Sequence, residues 1–319
     1  MKEIAIGIDI GGTNTKFGLV DKDGETLFQK SIPTRAEGDV NEFFKDLQES
    51  IQGALKNFPD VDIKGVGIGA PNANYYKQTI EHAPNIRWGT IVPFGEIFKK
   101  YFKYPMVMTN DANAAAIGEM VYGAAKGMKD FIVITLGTGL GSGIVVNGQL
   151  VYGHDGFAGE LGHVIVNPNG RYCGCGRKGC LETYVSATGI KRTVFKLLAD
   201  YTYKSELRAI AFDDLTAEFI TQAAMRKDPI AIAAFEYTGR ILGIKLADTM
   251  VHTSPEAIFL FGGLVKAGDY IFKPTLEHME KNMFPVFKNK LKLIPSGLMD
   301  KNAAVLGAAA LVWKEFETP

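Results

Sequence analysis

Asp9-Ile10-Gly11-Gly12-Thr13-Asn14-Thr15-Lys16 follows one alternating strand pattern, residues 3–10, and leads into another at 16–20. Its two glycines therefore join strand to strand. That placement excludes the dinucleotide loop, which joins a strand to a helix, and the spacing excludes the GxxxxGK phosphate loop. A hairpin of this composition can clamp phosphate instead. Glycine lets backbone N–H groups approach phosphate oxygens with no Cβ in the way, Thr13 and Thr15 can add hydroxyl donors, and Asp9 can hold a magnesium ion through water. Gly11, Gly12, Thr13, Asn14, Thr15 and Lys16 are thus candidate nucleotide-binding residues. An ordinary tight hairpin would use the same pair of glycines, so the rest of the chain must decide.

Outward from this turn, an Asp23-Gly24 turn and a strand at 25–31 complete a three-stranded meander. Val40, Phe43, Phe44, Leu47, Ile51 and Leu55 follow at helical spacing behind a capping Asp39, then a strand at 66–69. A further strand at 106–109 runs into a helix beginning near Asp111. The opening pattern then recurs: strand 131–136, glycine turn GTGLGSG at 137–143, strand 144–146, hairpin turn Asn147-Gly148. Gly24 and Gly148 lie 124 residues apart, and Gly12 and Gly137 lie 125 apart, which reads as an internal duplication with one meander per lobe. Past residue 186 helical patterns dominate, broken by a buried strand, AIFLF at 257–261, that ends on Gly262-Gly263. The small-residue segment NAAVLGAAALVWKEF (302–316) reads as a helix returning to the first lobe. The expected division is a small lobe of residues 1–112, joined by a helix at 302–317, and a large lobe of 113–301.

At 319 residues the chain exceeds the size at which one core tends to split, consistent with two lobes. Thirty-five basic and 35 acidic residues balance, which removes any global electrostatic reason to expect nucleic acid or an anionic membrane as partner. The start, MKEIAIGIDI, lacks the apolar core of a signal peptide, and no apolar run is long enough to span a bilayer. A cytoplasmic location is expected. All three cysteines, Cys173, Cys175 and Cys180, fall within eight residues, and in a reducing compartment such clustering favours metal ligation over disulfides.

The second glycine loop, with Gly137, Thr138 and Gly139 at its head, carries four alternate glycines inside a strand pair, where each weakens packing by about 0.5–1 kcal/mol. Close approach of a ligand explains that cost, and a structural bulge is the competing reading. Gly262-Gly263 could cradle the adenosine end of a nucleotide or form a simple strand-to-helix turn. Asn110-Asp111 sits where a strand meets a helix, a usual place for catalytic groups in α/β sheets, although both residues also make good helix caps. Phosphoryl transfer to a hydroxyl needs one carboxylate near the acceptor, and Asp111 is the candidate. Glu160-Leu161-Gly162-His163 and Glu182 bracket the cysteines. His163, Cys173, Cys175 and Cys180 make a complete tetrahedral zinc set, closed and structural, with Gly174, Gly176 and Gly179 suited to a tight loop. Reduced cysteines in a glycine-rich loop are the alternative.

The segments DIGGTNTKFGLV, NDANAAAIGE, LGTGLGSGI, GELGH and CGCGRKGCLE resemble the ROK family of sugar kinases and sugar-responsive repressors, in order over nearly the whole chain. The resemblance implies an α/β, actin-like (ribonuclease H-like) two-lobe ATPase fold, ATP with magnesium, and a zinc site of one histidine and three cysteines. It further implies Asp111 as general base and Asn110, Glu160, His163 and Glu182 as sugar ligands, His163 using the nitrogen left free by zinc. The family often has a glycine after Gly69-Ala70-Pro71, where this chain has Asn72, and Asn72 joins the substrate-binding candidates. The set resembles that of the glucokinases, so glucose is the expected substrate; N-acetylmannosamine, N-acetylglucosamine, allose and fructose kinases share most of it. A homodimer or larger homo-oligomer is expected. Repressors of the family carry an added N-terminal helix-turn-helix, for which a strand starting at residue 3 leaves no room. Reading Glu160 and Glu182 as a glycosidase pair leaves both glycine loops without a role.

Overall fold

The computed structural model describes residues 1–299 and 302–316. Residues 300, 301 and 317, which the expected lobe boundary and the expected last helix include, lie outside the described residues. The chain divides into two compact units, one of Met1–Met128, Gln149–Gly159 and Gly297–Pro319, the other of Lys129–Gly148 and Glu160–Ser296.

In the first unit β1 (Lys2–Ile10), β2 (Asn14–Asp21) and β3 (Thr26–Pro33) form the antiparallel meander, and α1 (Val40–Leu55) follows, capped by the Asp39 carboxylate, which accepts from the Asn41 N–H. Next come β4 (Val61–Gly69), a small sheet of β5 (Ala73–Asn74), β6 (Thr79–Glu81) and β7 (Ile91–Val92), then α2 (Phe94–Tyr101), β8 (Met106–Thr109) and α3 (Asp111–Tyr122). The large sheet has the order β3-β2-β1-β4-β8, with β4 parallel to both β1 and β8. Its core is aliphatic and aromatic, from Ile4, Ile6 and Ile8 to Phe43, Phe44, Phe94 and Phe98.

The last helix, Ala303–Phe316, shows why its sequence is so rich in small residues. A Cβ on Gly7 of β1 would lie 2.2 Å from the Val305 carbonyl, and one on Gly67 of β4 would lie 1.8 Å from that of Ala308. Gly307 in turn sits against the Ala114 carbonyl of α3, at 2.5 Å from its own hypothetical Cβ. Backbones meet here with nothing between them, so a larger residue at Gly7 or Gly67 would force the helix off the sheet.

The second unit repeats the plan. β9 (Phe131–Leu136) pairs antiparallel with β10 (Leu140–Val146), and Asn147-Gly148, at φ 52° and 74°, makes the hairpin turn that leads to β11 (Gln149–Leu150). β9 also runs parallel to β12 (Ala257–Phe261), which pairs with β13 (Lys292–Pro295). The order β10-β9-β12-β13 thus mirrors β2-β1-β4-β8. Helices α4 (Glu182–Val185) and α5 (Ala187–Asp200), with the helices Ala217–Met225, Pro229–Thr253 and Asp269–Asn282, make up the rest. Among the described residues no helix is long and apolar enough to cross a membrane.

Candidate functional site

In the first unit the turn 11–13 is built from within. The Gly11 N–H donates to the Asn14 carbonyl, and the Thr34 hydroxyl donates to the Gly11 carbonyl at 2.7 Å. Thr15 is fully buried, its hydroxyl 2.9 Å from that of Thr34. This corrects the expectation that Thr15 donates to phosphate: it faces inward with Phe17 and pins the turn, while Thr13, Asn14 and Lys16 are exposed. Gly12 packs on Asn85, so its missing Cβ is also a packing requirement.

Asp9 ends up opposite Lys16 in the hairpin register. Its carboxyl is pushed up to about 6, first by burial and then by the nearby charge of Asp111, against the pull of Lys16. Asp111 opens α3 and is accessible to solvent, yet protein crowds its flanks enough that desolvation raises its carboxyl above the ordinary range, over the opposing effect of the Ala112 N–H. The cap of α3 is Asn110, with extended backbone (φ −68°, ψ 161°) and Oδ1 accepting from the Asn113 N–H at 2.7 Å. Asn110 is left with Nδ2 to offer a ligand. Asn72 adopts φ 51°, the left-handed region that glycine tolerates best and asparagine next, and its Nδ2 donates to the His82 carbonyl. The side chain is turned into its own loop.

In the second unit residues 137–139 are the exposed tip between β9 and β10. Gly262, at φ 112°, presses on this loop: its Cβ would lie 2.6 Å from the Leu136 carbonyl. Gly137 and Gly263 differ, because a Cβ on either meets nothing within 4 Å. Gly162 sits on the Leu140 carbonyl, and the Leu161 N–H donates to the Ser142 hydroxyl, so the segment holding Glu160 and His163 is fastened to the glycine hairpin.

His163, Cys173, Cys175 and Cys180 present ligand atoms all within 4.8 Å of one another. Both Cys175 Sγ to Cys180 Sγ and Cys173 Sγ to His163 Nδ1 measure 3.7 Å, close to the edge of about 3.8 Å that ~2.3 Å zinc–sulfur bonds give a tetrahedron. Burial raises the Cys173 and Cys180 thiols; it also acts on Cys175, but hydrogen bonds from the Arg177 N–H and guanidinium, and then from Cys173 and Cys180, outweigh it and bring that thiol down to about 6. Glu182 stands at the junction of the two features. One carboxylate oxygen lies 2.9 Å from Cys173 Sγ and 3.8 Å from His163 Nδ1, and the other faces the Leu140 N–H at 3.5 Å.

A family model described as ROK family matches residues 5–315. The chain belongs to the ROK family. A glucokinase of Halalkalibacterium halodurans is 36% identical to this ROK chain over 287 residues, 88% of this chain and 86% of the relative. A ROK family glucokinase from Streptomyces griseus, solved in complex with glucose and AMPPNP, superposes with TM-score 0.81 at 32% identity, covering 97% of this chain and 98% of that one. A xylose repressor of Bacillus spizizenii is 29% identical over 98% of this chain and 77% of its own length. The two hairpin-led sheets of this ROK chain are those of the actin-like ATPase fold.

Sequence reasoning missed Thr34, Ser142 and Arg171 of the ROK chain. Thr34 fastens the first glycine turn from just past the end of β3, where no local pattern marks it, and Ser142, inside the second glycine loop, holds the Leu161 N–H rather than a ligand. Arg171 stands two residues before a cysteine and would pass for a surface cation.

Proposed function

We propose that the chain is an ATP-dependent glucokinase that transfers the γ-phosphoryl group to the C6 hydroxyl of glucose. The observation that carries this reading is Asp111, a solvent-open carboxylate at the head of α3 that is relieved of capping by Asn110 and stands near Asp9 and the first glycine turn. Likeness to glucokinases over nearly the whole chain supports the substrate.

Asp111 accepts the proton of the sugar hydroxyl as its oxygen bonds to the γ-phosphorus, while the bond from that phosphorus to the bridging oxygen breaks and ADP leaves. Glu160, His163 through Nε2, Glu182 and Asn110 through Nδ2 hold the sugar hydroxyls. The turns at 11–13 and 137–139 and Gly263 offer backbone N–H groups to the nucleotide. Asp9 suits a magnesium ion, since a cation there would offset both its burial and its repulsion by Asp111, and such an ion supplies charge neutralisation at the phosphates. The four-ligand cluster suits a structural zinc ion, which supplies a fixed geometry for its loop.

The open glycines isolate nucleotide binding from folding. Gly137→Ala and Gly263→Ala add a methyl group to empty space at ordinary φ, so both proteins should melt near the wild-type temperature. Gly137→Ala should lose a phosphate contact and Gly263→Ala a contact at the adenosine end, each worth about 1.5–3 kcal/mol, raising KM for ATP roughly 10- to 100-fold. Unchanged KM for ATP in both would remove these loops from the nucleotide site.

A coupled assay of ADP release over a panel of hexoses tests the function. Glucose should give the highest kcat/KM. Sugar binding with no ADP release from any hexose would replace the kinase by a sugar-sensing regulator.

A further inference from the structure

The guanidinium of Arg171 donates three hydrogen bonds, each to a neutral acceptor. Nη1 donates to the carbonyls of Thr183, at 2.7 Å, and Gly189, at 2.9 Å, and Nη2 donates to the Thr193 hydroxyl at 2.9 Å. Its flat face lies 4.6 Å from the centre of the Tyr184 ring. The backbone of the same residue is engaged as well: its N–H donates to the Tyr184 hydroxyl, and its carbonyl accepts from the Gly179 N–H. Burial lowers the pKa of the side chain, so holding the charge there has an energetic cost that the carbonyl dipoles must offset.

These contacts converge on one place. Thr183 and Tyr184 belong to α4, whose first residue is Glu182, and Gly189 and Thr193 belong to the first turns of α5. Arg171 thus rivets the stem of the cysteine loop to the helix that carries the Glu182 carboxylate. Three acceptors arranged around one planar fork match guanidinium geometry and cannot all be met by a lysine ammonium. These three side-chain hydrogen bonds go to Thr183, Gly189 and Thr193 and not to a cysteine or to His163, so they act on the same loop by a route separate from the metal ligands.

We propose that Arg171 is a positioning residue for the sugar, fixing α4 so that Glu182 meets the sugar hydroxyls beside His163. The proposal rests on the reading of Glu182 as a sugar ligand. Arg171→Lys and Arg171→Ala proteins, prepared with zinc, are compared with wild type by elemental analysis, glucose titration calorimetry and steady-state kinetics. Zinc content should stay at the wild-type level while glucose affinity falls roughly 10- to 100-fold, the range for residues that orient a ligand from behind. KM for glucose should rise with it, KM for ATP should move far less, and added guanidinium ion should restore part of the glucose affinity to Arg171→Ala. Glucose affinity within about twofold of wild type in zinc-loaded Arg171→Lys, a difference near the thermal energy, would overturn the proposal. So would a parallel loss of glucose affinity, ATP affinity and melting temperature without guanidinium rescue, which marks a general structural role. Undiminished glucose affinity in Glu182→Gln would overturn the underlying assignment, and the proposal with it.

Discussion

Asp111→Asn should lower kcat for glucose by roughly 10²- to 10⁴-fold, the contribution expected of a positioned general base, while glucose and ATP affinities should stay close to wild type. The sequence left open that Asp111 serves merely as a helix cap. Asn110 does that work, so the substitution should leave α3 intact. The stability effect has a definite sign. A carboxyl whose pKa is raised on folding favours the folded state below its unfolded value, and the benefit is lost as pH rises through the folded value. Asp111 is raised by desolvation, and Asp9 is raised to about 6 by burial and by Asp111. At neutral pH their ionised forms therefore oppose folding, and Asp111→Asn should melt at or above the wild-type temperature at pH 7, with the gain shrinking toward pH 4. The wild-type kcat/KM should fall with acid at a pH above the ordinary carboxylate range, as Asp111 takes up its proton. Near-normal turnover in a folded Asp111→Asn protein would remove the base assignment.

Cys175→Ser removes the exposed thiol of the four-ligand cluster, and its zinc content should fall well below the wild-type level of about one ion per chain expected of a closed four-ligand site. Glucose affinity should fall more than about tenfold, equivalent to ~1.4 kcal/mol, because His163 and Glu182 share the cluster's surroundings. ATP affinity should fall too, though less. Glu182 faces the Leu140 N–H, so disorder in the cysteine loop reaches the second glycine hairpin. Metal analysis of protein never exposed to chelator decides the first point, and glucose titration of the metal-poor variant decides the second. No metal in the wild type would dismiss the site; full glucose affinity in the metal-poor variant would sever it from function.

Features set by local chemistry were legible. Asn147-Gly148 takes the left-handed angles its residues favour, Asp39 caps α1, and AIFLF forms β12. The orientation of Thr15 was legible in principle, since strand alternation puts it on the inner face with Phe17 and Leu19. Its hydroxyl in a glycine-rich motif suggested a ligand instead. The choice between Asn110 and Asp111 as cap was beyond the sequence, because adjacent residues of similar capping power differ only in the backbone angles the strand imposes. Asn72 is explained by its φ of 51°, an angle visible only in the folded loop. Arg171 was the least legible of all. Two of its acceptors are main-chain carbonyls, 12 and 18 residues away, that any sequence would supply.

The most direct measurement of the central claim is the identity of the product. Zinc-replete protein is incubated with glucose, ATP and magnesium, and the sugar phosphate is examined by phosphorus–proton coupled NMR. Coupling of the new phosphorus to the two C6 protons, with one ADP released per glucose consumed, is the result expected if the chain phosphorylates glucose at its 6-hydroxyl. A phosphate on any other carbon, or ADP formed with no sugar phosphate, would contradict it.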